Sequence, residues 1–159
     1  MGMVPILGID QSFTSTGYCV VDDNTLIDFG IIKSLKTSDI YDRAIQITDQ
    51  LISLANKHTV SETRIEGLAF GMRGSATRDL AGLLFTIVTT FKRNGFDNIK
   101  IVSPKTIKKT ATNSGKATKK QMIETLPDFV KFKFTEQGFK TTTGLADLAD
   151  SYWISVCNI

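Results

Sequence analysis

Three short apolar runs stand close together at the start of this 159-residue chain, and they constrain its fold more than any other feature. They cover residues 4–9, 17–21 and 25–34, with a hydroxyl-rich turn after the first run and an Asp-Asp-Asn turn after the second. Short apolar runs bounded by turn residues are typical of β-strands. We therefore predict a three-stranded meander as the first part of a sheet.

Helical and strand patterns alternate through the rest of the chain. Apolar residues at helical spacing from residue 40 predict a helix N-capped by Ser38 or Asp39. Residues 63–69 predict a fourth strand, residues 76–91 a second helix capped by Ser75, and residues 99–102 a fifth strand. We expect part of the polar, basic stretch 105–120 to be mobile before a short helix at 121–126, and residues 143–157 to form the last helix. This order predicts a single α/β domain over residues 1–159, with a mixed five-stranded sheet and helices on both faces, as in the ribonuclease H-like fold.

The net charge of +3 conceals a strong asymmetry. Between residues 92 and 140 the chain carries twelve lysines and arginines against four acids, so this segment is basic and the remainder is acidic. An imbalance of this kind indicates a polyanionic partner, with a solvated lysine-rich surface as the alternative.

Composition argues against several other classes of protein. No apolar run approaches the ~20 residues that cross a bilayer, and the N-terminus lacks the basic region and apolar stretch of a secretory signal, so we expect a cytoplasmic protein without membrane contact. His58 is the single histidine and there are two cysteines, which makes a zinc site improbable. Any metal ligands should be carboxylates, which favour magnesium or manganese.

Four acids occur where a charge is unexpected. Asp10 ends the first predicted strand, Glu66 lies within the fourth, and Asp147 and Asp150 are three residues apart on one face of the last helix. Taken singly, each has an ordinary interpretation as a turn residue, an edge-strand charge or a polar helix residue. Taken together, they match a phosphoryl-transfer site, because two divalent ions ~4 Å apart need several carboxylates around them.

The segments that contain these acids resemble the RuvC family of Holliday-junction resolvases. The matching segments are GIDQSFTSTGY, RIEGLAF and GLADLADSYWIS, in the family's order and over nearly the whole chain. The resemblance implies a ribonuclease H-like fold, a homodimer, and magnesium- or manganese-dependent cutting of four-way DNA junctions without a nucleotide cofactor. It also implies that Asp10, Glu66, Asp147 and Asp150 bind the metal, two ions in each active site.

Two positions depart from the family pattern. Gln11-Ser12 replaces a Pro-Gly pair after the first aspartate, and Gly67 replaces a glutamine after the glutamate. These changes affect turn geometry and local DNA contacts and leave the acids in place. The compact chain resembles phage-encoded members more than bacterial ones.

The basic stretch SPKTIKKTATNSGKATKKQM resembles the segment that carries the family's active-site lysine. Lys119 falls nearest to that position, with Lys116 and Lys120 as neighbouring alternatives. We expect Asp10 to bridge the two ions and Lys119 to stabilise the charged phosphate.

DNA contacts are expected from hydroxyl, basic and aromatic side chains around the acids. Phe70 is expected to stack on or wedge against an exposed base, or else to lie in the core. Helix 76–91 has surplus apolar surface and is the expected dimer interface. The full set of expected DNA contacts is Ser12, Thr14, Phe70, Arg73, Arg78, Lys105, Lys108, Lys109, Lys116 and Lys120.

Three other functions share some of these sequence features. An ATP-binding fragment of the actin and sugar-kinase type needs a second lobe, for which 159 residues leave no room. A non-catalytic branched-DNA binder has no use for four intact acids. A ribonuclease H-like nuclease acting on flaps or other branched DNA shares the metal chemistry and stays open.

Overall fold

The computed structural model of the chain describes residues 2–69, 71 and 73–159. The described residues form five strands and six helices. In chain order these are β1 (Ile6–Asp10), β2 (Thr16–Asp22), β3 (Thr25–Ile32), α1 (Ile40–Lys57), β4 (Glu62–Glu66), α2 (Ser75–Arg93), β5 (Ile99–Val102), α3 (Pro104–Thr112), α4 (Lys119–Glu124), α5 (Asp128–Glu136) and α6 (Leu145–Val156).

The strands form one mixed sheet in the order β3-β2-β1-β4-β5. β1, β2 and β3 pair antiparallel, as expected for strands joined by short turns, whereas β4 runs parallel to both β1 and β5. The predicted meander and the predicted mixed five-stranded sheet are therefore confirmed.

Helices cover both faces of the sheet, because side chains alternate between faces along each strand. On one face, Leu7 and Ile9 of β1 belong to a core shared with α1 and α2. On the other face, Cys19 and Val21 of β2 pack with α5 and α6. A smaller cluster brings Val102 of β5 together with apolar residues of α3, α4 and α6. This arrangement confirms the ribonuclease H-like class. None of the helices within the described residues is both long and apolar enough to cross a membrane.

Two glycines allow α6 to lie directly on the sheet. A Cβ atom at Gly8 would collide with the carbonyl oxygen of Ser151, and one at Gly17 would lie 2.6 Å from the carbonyl oxygen of Asp147. Real Cβ atoms do not approach so closely, so larger residues at these positions would push α6 away from β1 and β2. The two glycines thereby set how close the acids of α6 come to the end of β1.

Two local predictions around β4 and α2 were wrong. β4 ends at Glu66 instead of continuing to Ala69, because its last ladder bond runs from the amide of Gly67 to Val102, after which β5 ends as well. Ser75 does not cap α2: it is the first helical residue, and Gly74 takes the N-cap position with φ 107° and no side-chain hydrogen bond.

The basic stretch contains a helix that the sequence prediction lacked. α3 occupies residues Pro104–Thr112, with the Ser103 side chain accepting the amide hydrogen of Thr106. Asn113 ends this helix in the left-handed conformation, with φ 62°. A further helix, α5, has no counterpart in the sequence prediction.

Candidate active site

Asp10 and Glu66 meet at the edge of the sheet where β1 and β4 end. These strands are parallel neighbours, and the pairing of Ile9 with Ile65 brings the two following residues side by side. Both side chains line the same cavity. Glu66 is thus a strand-end residue beside Asp10, whereas the sequence had placed it within the strand.

Helix α6 brings the other two acids to the same place. Asp147 lies in its first turn and Asp150 one turn later. All four acids line one cavity of about 410 Å³, which is also lined by Pro104, Lys108, Ala117, Lys119 and Met122. The convergence expected for the four carboxylates is therefore present in the structure, while their role as metal ligands stays a prediction.

Two lysines reach this cavity from the basic segment. Lys108 belongs to α3, which starts directly after β5 at the same edge of the sheet. Lys119 begins α4, where the Thr118 and Gln121 side chains form a reciprocal capping box that fixes the start of the helix. The sequence singled out Lys119 for the active site and gave Lys108 only a DNA contact. The Ser103-Pro104 pair, a helix-start signal, could have placed Lys108 as well.

Burial raises the pKa values of three of the acids. Burial, followed by repulsion from Glu66 and Asp150, raises the pKa of Asp10 well above its ordinary value. Burial also raises the pKa of Glu66, against the opposing effects of the neighbouring Asp10 carboxyl group and of the Lys108 charge. For Asp150, burial and then repulsion from Glu66 and Asp147 raise the pKa to about 7, although Lys119 and Lys108 act in the opposite direction. Nearby positive charge would relieve all three shifts.

The donor set suits a hard divalent cation. Four carboxylates supply oxygen ligands only, which is the preference of magnesium and manganese. Among the described residues, no three Asp, Glu, His or Cys side chains are already grouped around one point as metal ligands. The four carboxylates line one cavity, and their side chains would have to draw closer together to hold an ion.

The hydroxyl-rich β1–β2 turn uses most of its hydroxyl groups internally. Ser12 Oγ accepts the amide hydrogens of Thr14 and Ser15 at 3.1 and 3.3 Å, and Thr16 Oγ1 bonds to both backbone groups of Ser12. Ser12 therefore stabilises the turn, whereas Thr14 is exposed and free to contact DNA. Ser15, which sequence reasoning did not select, donates to Asp147 Oδ2 at 2.9 Å.

Gln11, the departure that follows Asp10, is also placed beside the site. Its side chain is only 6% exposed, and its Nε2 donates to the carbonyl oxygen of Glu66 at 3.3 Å. Its Oε1 is buried and meets no hydrogen-bond donor among the described residues.

The remaining predicted DNA contacts lie outside the cavity lining. Arg73 is exposed before α2, and Arg78 lines a groove with Phe13 and Tyr41 between α1 and α2. Phe70 falls outside the described residues. The other predicted lysines are exposed on α3, on α4 and in the connection between them: Lys105, Lys109, Lys116 and Lys120.

Comparison with protein families identifies relatives of the chain. The model of the family "Crossover junction endodeoxyribonuclease RuvC" matches residues 6–157. The RuvC protein of Aliarcobacter butzleri is 30% identical over 121 residues, which cover 74% of this chain and 77% of that protein. The RuvC protein of Salinibacter ruber is 29% identical over 160 residues, covering 96% of this chain and 83% of that protein.

Solved structures share the fold. Thermus thermophilus RuvC in complex with a Holliday junction substrate superposes with a TM-score of 0.75 at 16% identity, covering 96% of this chain and 90% of that chain. The yeast mitochondrial Holliday junction resolvase superposes with a TM-score of 0.68 at 19% identity, covering 96% of this chain and 76% of that chain. Fold, acid placement and family match agree, and the chain belongs to the RuvC family of crossover junction endodeoxyribonucleases.

Proposed function

We propose that the cavity at the end of β1 is the active site of a metal-dependent endonuclease that resolves four-way DNA junctions. The observation that carries the proposal is the meeting of four carboxylates, from β1, β4 and α6, with two lysines in one cavity. Membership of the RuvC family supports the same activity, because its members bear the name crossover junction endodeoxyribonuclease.

Divalent metal dependence follows from the family, and the finer assignment is part of the proposal. We assign Asp10 a central part in holding two magnesium or manganese ions, because its neighbours across the sheet are Glu66 on β4 and, on β2, Gly17, which lies against Asp147. Glu66, Asp147 and Asp150 complete the two sites. When bound, the ions supply an activated water and neutralise the charge of the attacked phosphate and the leaving 3′ oxygen.

The protein's own cations complete the charge balance. Lys108 and Lys119 line the same cavity as the acids, so a phosphate entering it meets two ammonium groups. Charge on a phosphodiester increases as it reacts, and fixed positive groups stabilise the transition state more than the ground state. We assign Lys119 to the phosphate and include Lys108 in the same role.

The basic surface beside the cavity accounts for DNA binding. Four further lysines are exposed on α3, on α4 and in the connection between these helices: Lys105, Lys109, Lys116 and Lys120. Contacts of this kind neutralise backbone phosphates and position the duplex without reading its sequence. Thr14, exposed on the β1–β2 turn, and Arg73 are further candidates for backbone contacts.

A second copy of the chain is the proposed partner on the α1–α2 side. Phe85 of α2 is 72% exposed and Tyr41 of α1 is 77% exposed, and Tyr41 lines a groove of about 240 Å³ with Phe13 and Leu83. Large apolar side chains exposed together mark an interaction surface. A two-fold dimer supplies the two active sites that paired cuts in a junction require.

Substitution of single acids tests the assignment. Asp10→Asn keeps the shape of the side chain and removes its charge, so we expect cleavage of a labelled four-way junction in magnesium to fall to background while junction binding persists. Glu66→Gln, Asp147→Asn and Asp150→Asn should follow. Asp97→Asn is the matched control, because Asp97 is exposed just before β5, at the opposite edge of the sheet.

Two results would contradict the proposal. An Asp10→Asn variant that cuts at near the wild-type rate excludes the two-metal site. Wild-type protein that cuts flaps or RNA–DNA hybrids and leaves four-way junctions intact supports the alternative of a ribonuclease H-like nuclease with other substrates.

A further inference from the structure

The β1–β2 turn makes a direct side-chain bond to one of the four acids. Ser15 Oγ donates a hydrogen bond to Asp147 Oδ2 at 2.9 Å, which joins residues 132 positions apart in the sequence. A serine hydroxyl carries one hydrogen to donate. Because Ser15 donates this hydrogen to Asp147, it cannot also donate it to a DNA phosphate in this arrangement.

The turn that carries Ser15 is held firmly by its own bonds. Ser12 Oγ accepts the backbone amide hydrogen of Ser15 itself, in addition to that of Thr14. Bonds of this type fix the backbone of a turn in one conformation. The Ser15 side chain therefore projects from a backbone with little freedom to move.

Arg43 of α1 and Ser34, which lies two residues after β3, bind the backbone of the same turn. The carbonyl oxygen of Phe13 accepts from Arg43 Nη2 at 2.8 Å and from Ser34 Oγ at 2.7 Å. The Arg43 guanidinium also lies 5.7 Å from the centre of the Phe13 ring, within the range of a cation–π contact. The turn is thus tied to the body of the domain before it reaches Asp147.

We infer that Ser15 is a positioning residue for metal binding, which it supports by fixing the orientation of the Asp147 carboxylate. This inference rests on the proposed function of the cavity. The bond to Ser15 occupies Oδ2 of Asp147 and leaves Oδ1 without a bond from the turn. Carboxylates that bind metals are commonly held in this way by a second hydrogen-bonding residue, and loss of that residue weakens metal binding or activity by about 10–100-fold.

A purely structural role would have different consequences. If the bond only attached the turn to α6, removing it would lower stability without changing the affinity for metal. The hydroxyl of Ser34 offers the comparison, because it holds this turn by a hydrogen bond to the carbonyl oxygen of Phe13, accepts one from Arg43 Nε, and makes no hydrogen bond to Asp147 among the described residues.

Metal affinity, cleavage and stability of three variants separate the two roles. The affinity for Mn²⁺ alone is measured by calorimetry on Ser15→Ala, Ser15→Thr and Ser34→Ala, alongside the magnesium dependence of junction cleavage and thermal unfolding. We expect Ser15→Ala to weaken Mn²⁺ binding about 10–100-fold, and to raise by a similar factor the magnesium concentration that gives half-maximal cleavage. Junction affinity in calcium should not change. Ser15→Thr keeps the hydroxyl and should restore metal affinity, and Ser34→Ala should lower stability alone.

Three results would overturn the inference: wild-type affinity for Mn²⁺ in Ser15→Ala, an equal loss of affinity in Ser34→Ala, or wild-type protein that binds no Mn²⁺. Failure of the proposed function looks different. Wild-type protein that binds Mn²⁺ and cuts no junction removes the proposed function, while the comparison of Mn²⁺ affinities still decides the role of Ser15.

Discussion

Asp10 and Glu66 end two neighbouring parallel strands, one residue beyond the pairing of Ile9 with Ile65, and both line the cavity that also contains Asp147 and Asp150. Burial, followed by repulsion from Glu66 and Asp150, raises the pKa of Asp10 well above its ordinary value, which favours a bound proton while no cation is near. A cation between the acids competes with that proton, so binding of metal and loss of a proton should be linked at this edge of the sheet.

The metal-free protein should lose stability as the pH rises from about 4 to about 7. The pKa of Asp150 is raised from 3.8 to about 7 in the folded state, so over this range the unfolded chain binds fewer protons than the folded chain, and the free energy of unfolding falls. Asp150→Asn removes this group. In EDTA at pH 8 we expect the variant to be more stable than wild type by about 1–3 kcal/mol, with the difference vanishing near pH 4. Thermal unfolding across this pH range is the measurement, with Asp97→Asn as control, and identical pH profiles for wild type and Asp150→Asn would refute it.

Lys119 and Lys108 should affect cleavage more than binding, because both line the cavity that contains the four acids. Replacing either by Ala should lower the cleavage rate about 10²-fold with a small loss of junction affinity. Lys120→Ala is the comparison for a lysine of the DNA-binding surface outside the cavity, and it should lower affinity more than rate: this side chain is 84% exposed and pairs with Glu124 at 3.7 Å. Single-turnover cleavage and binding in calcium separate the two effects. Equal losses in rate and affinity would reassign these lysines to DNA binding.

Gly17 should be required for the position of α6. A Cβ atom there would lie 2.6 Å from the carbonyl oxygen of Asp147, so Gly17→Ala must displace the helix that carries two of the four acids. We expect a loss of about 1–3 kcal/mol in the free energy of unfolding, together with weaker Mn²⁺ binding. Denaturant unfolding and calorimetry measure both quantities. A variant that retains wild-type stability and wild-type Mn²⁺ affinity would show that the close approach of α6 does not matter.

Phe85 should support the proposed dimer. Phe85→Glu places a charge in a surface that the second copy is proposed to cover, and we expect a shift from dimer to monomer in sedimentation velocity. Because Phe85 is 72% exposed, thermal unfolding of the monomeric form should change little. An unchanged sedimentation coefficient would place the interface elsewhere or remove it.

The sequence was sufficient for the sheet and for the grouping of the acids. The first three strands are short apolar runs joined by short turns, which permit only antiparallel pairing. Asp10 and Glu66 follow buried residues of strands that the fold places in parallel. The spacing of Asp147 and Asp150 puts them on one face of a helix wherever that helix lies.

The missed features depend on contacts that a local pattern does not contain. α3 buries Ile107 alone among its nine residues, and its lysines and threonines look like a polar loop. In α5, Phe129 and Phe132 are exposed while Val130 and Phe134 are buried, so no clear apolar stripe marks the helix. The bond from Ser15 to Asp147 spans 132 positions, and only the docking of α6 on the sheet creates it.

Selectivity for a four-way junction and the symmetry of its cuts test the central claim most directly. The competition between a junction and a linear duplex of equal length is titrated in calcium at rising salt, and the cut positions are then mapped in magnesium. A dimer that binds two arms at once should prefer the junction at every salt concentration. The affinities for junction and duplex should both fall with rising salt, because phosphate contacts are screened. The account predicts paired nicks in strands related by the junction's two-fold symmetry. Equal affinity for junction and duplex at moderate salt, or a single unpaired nick near one strand end, would contradict it.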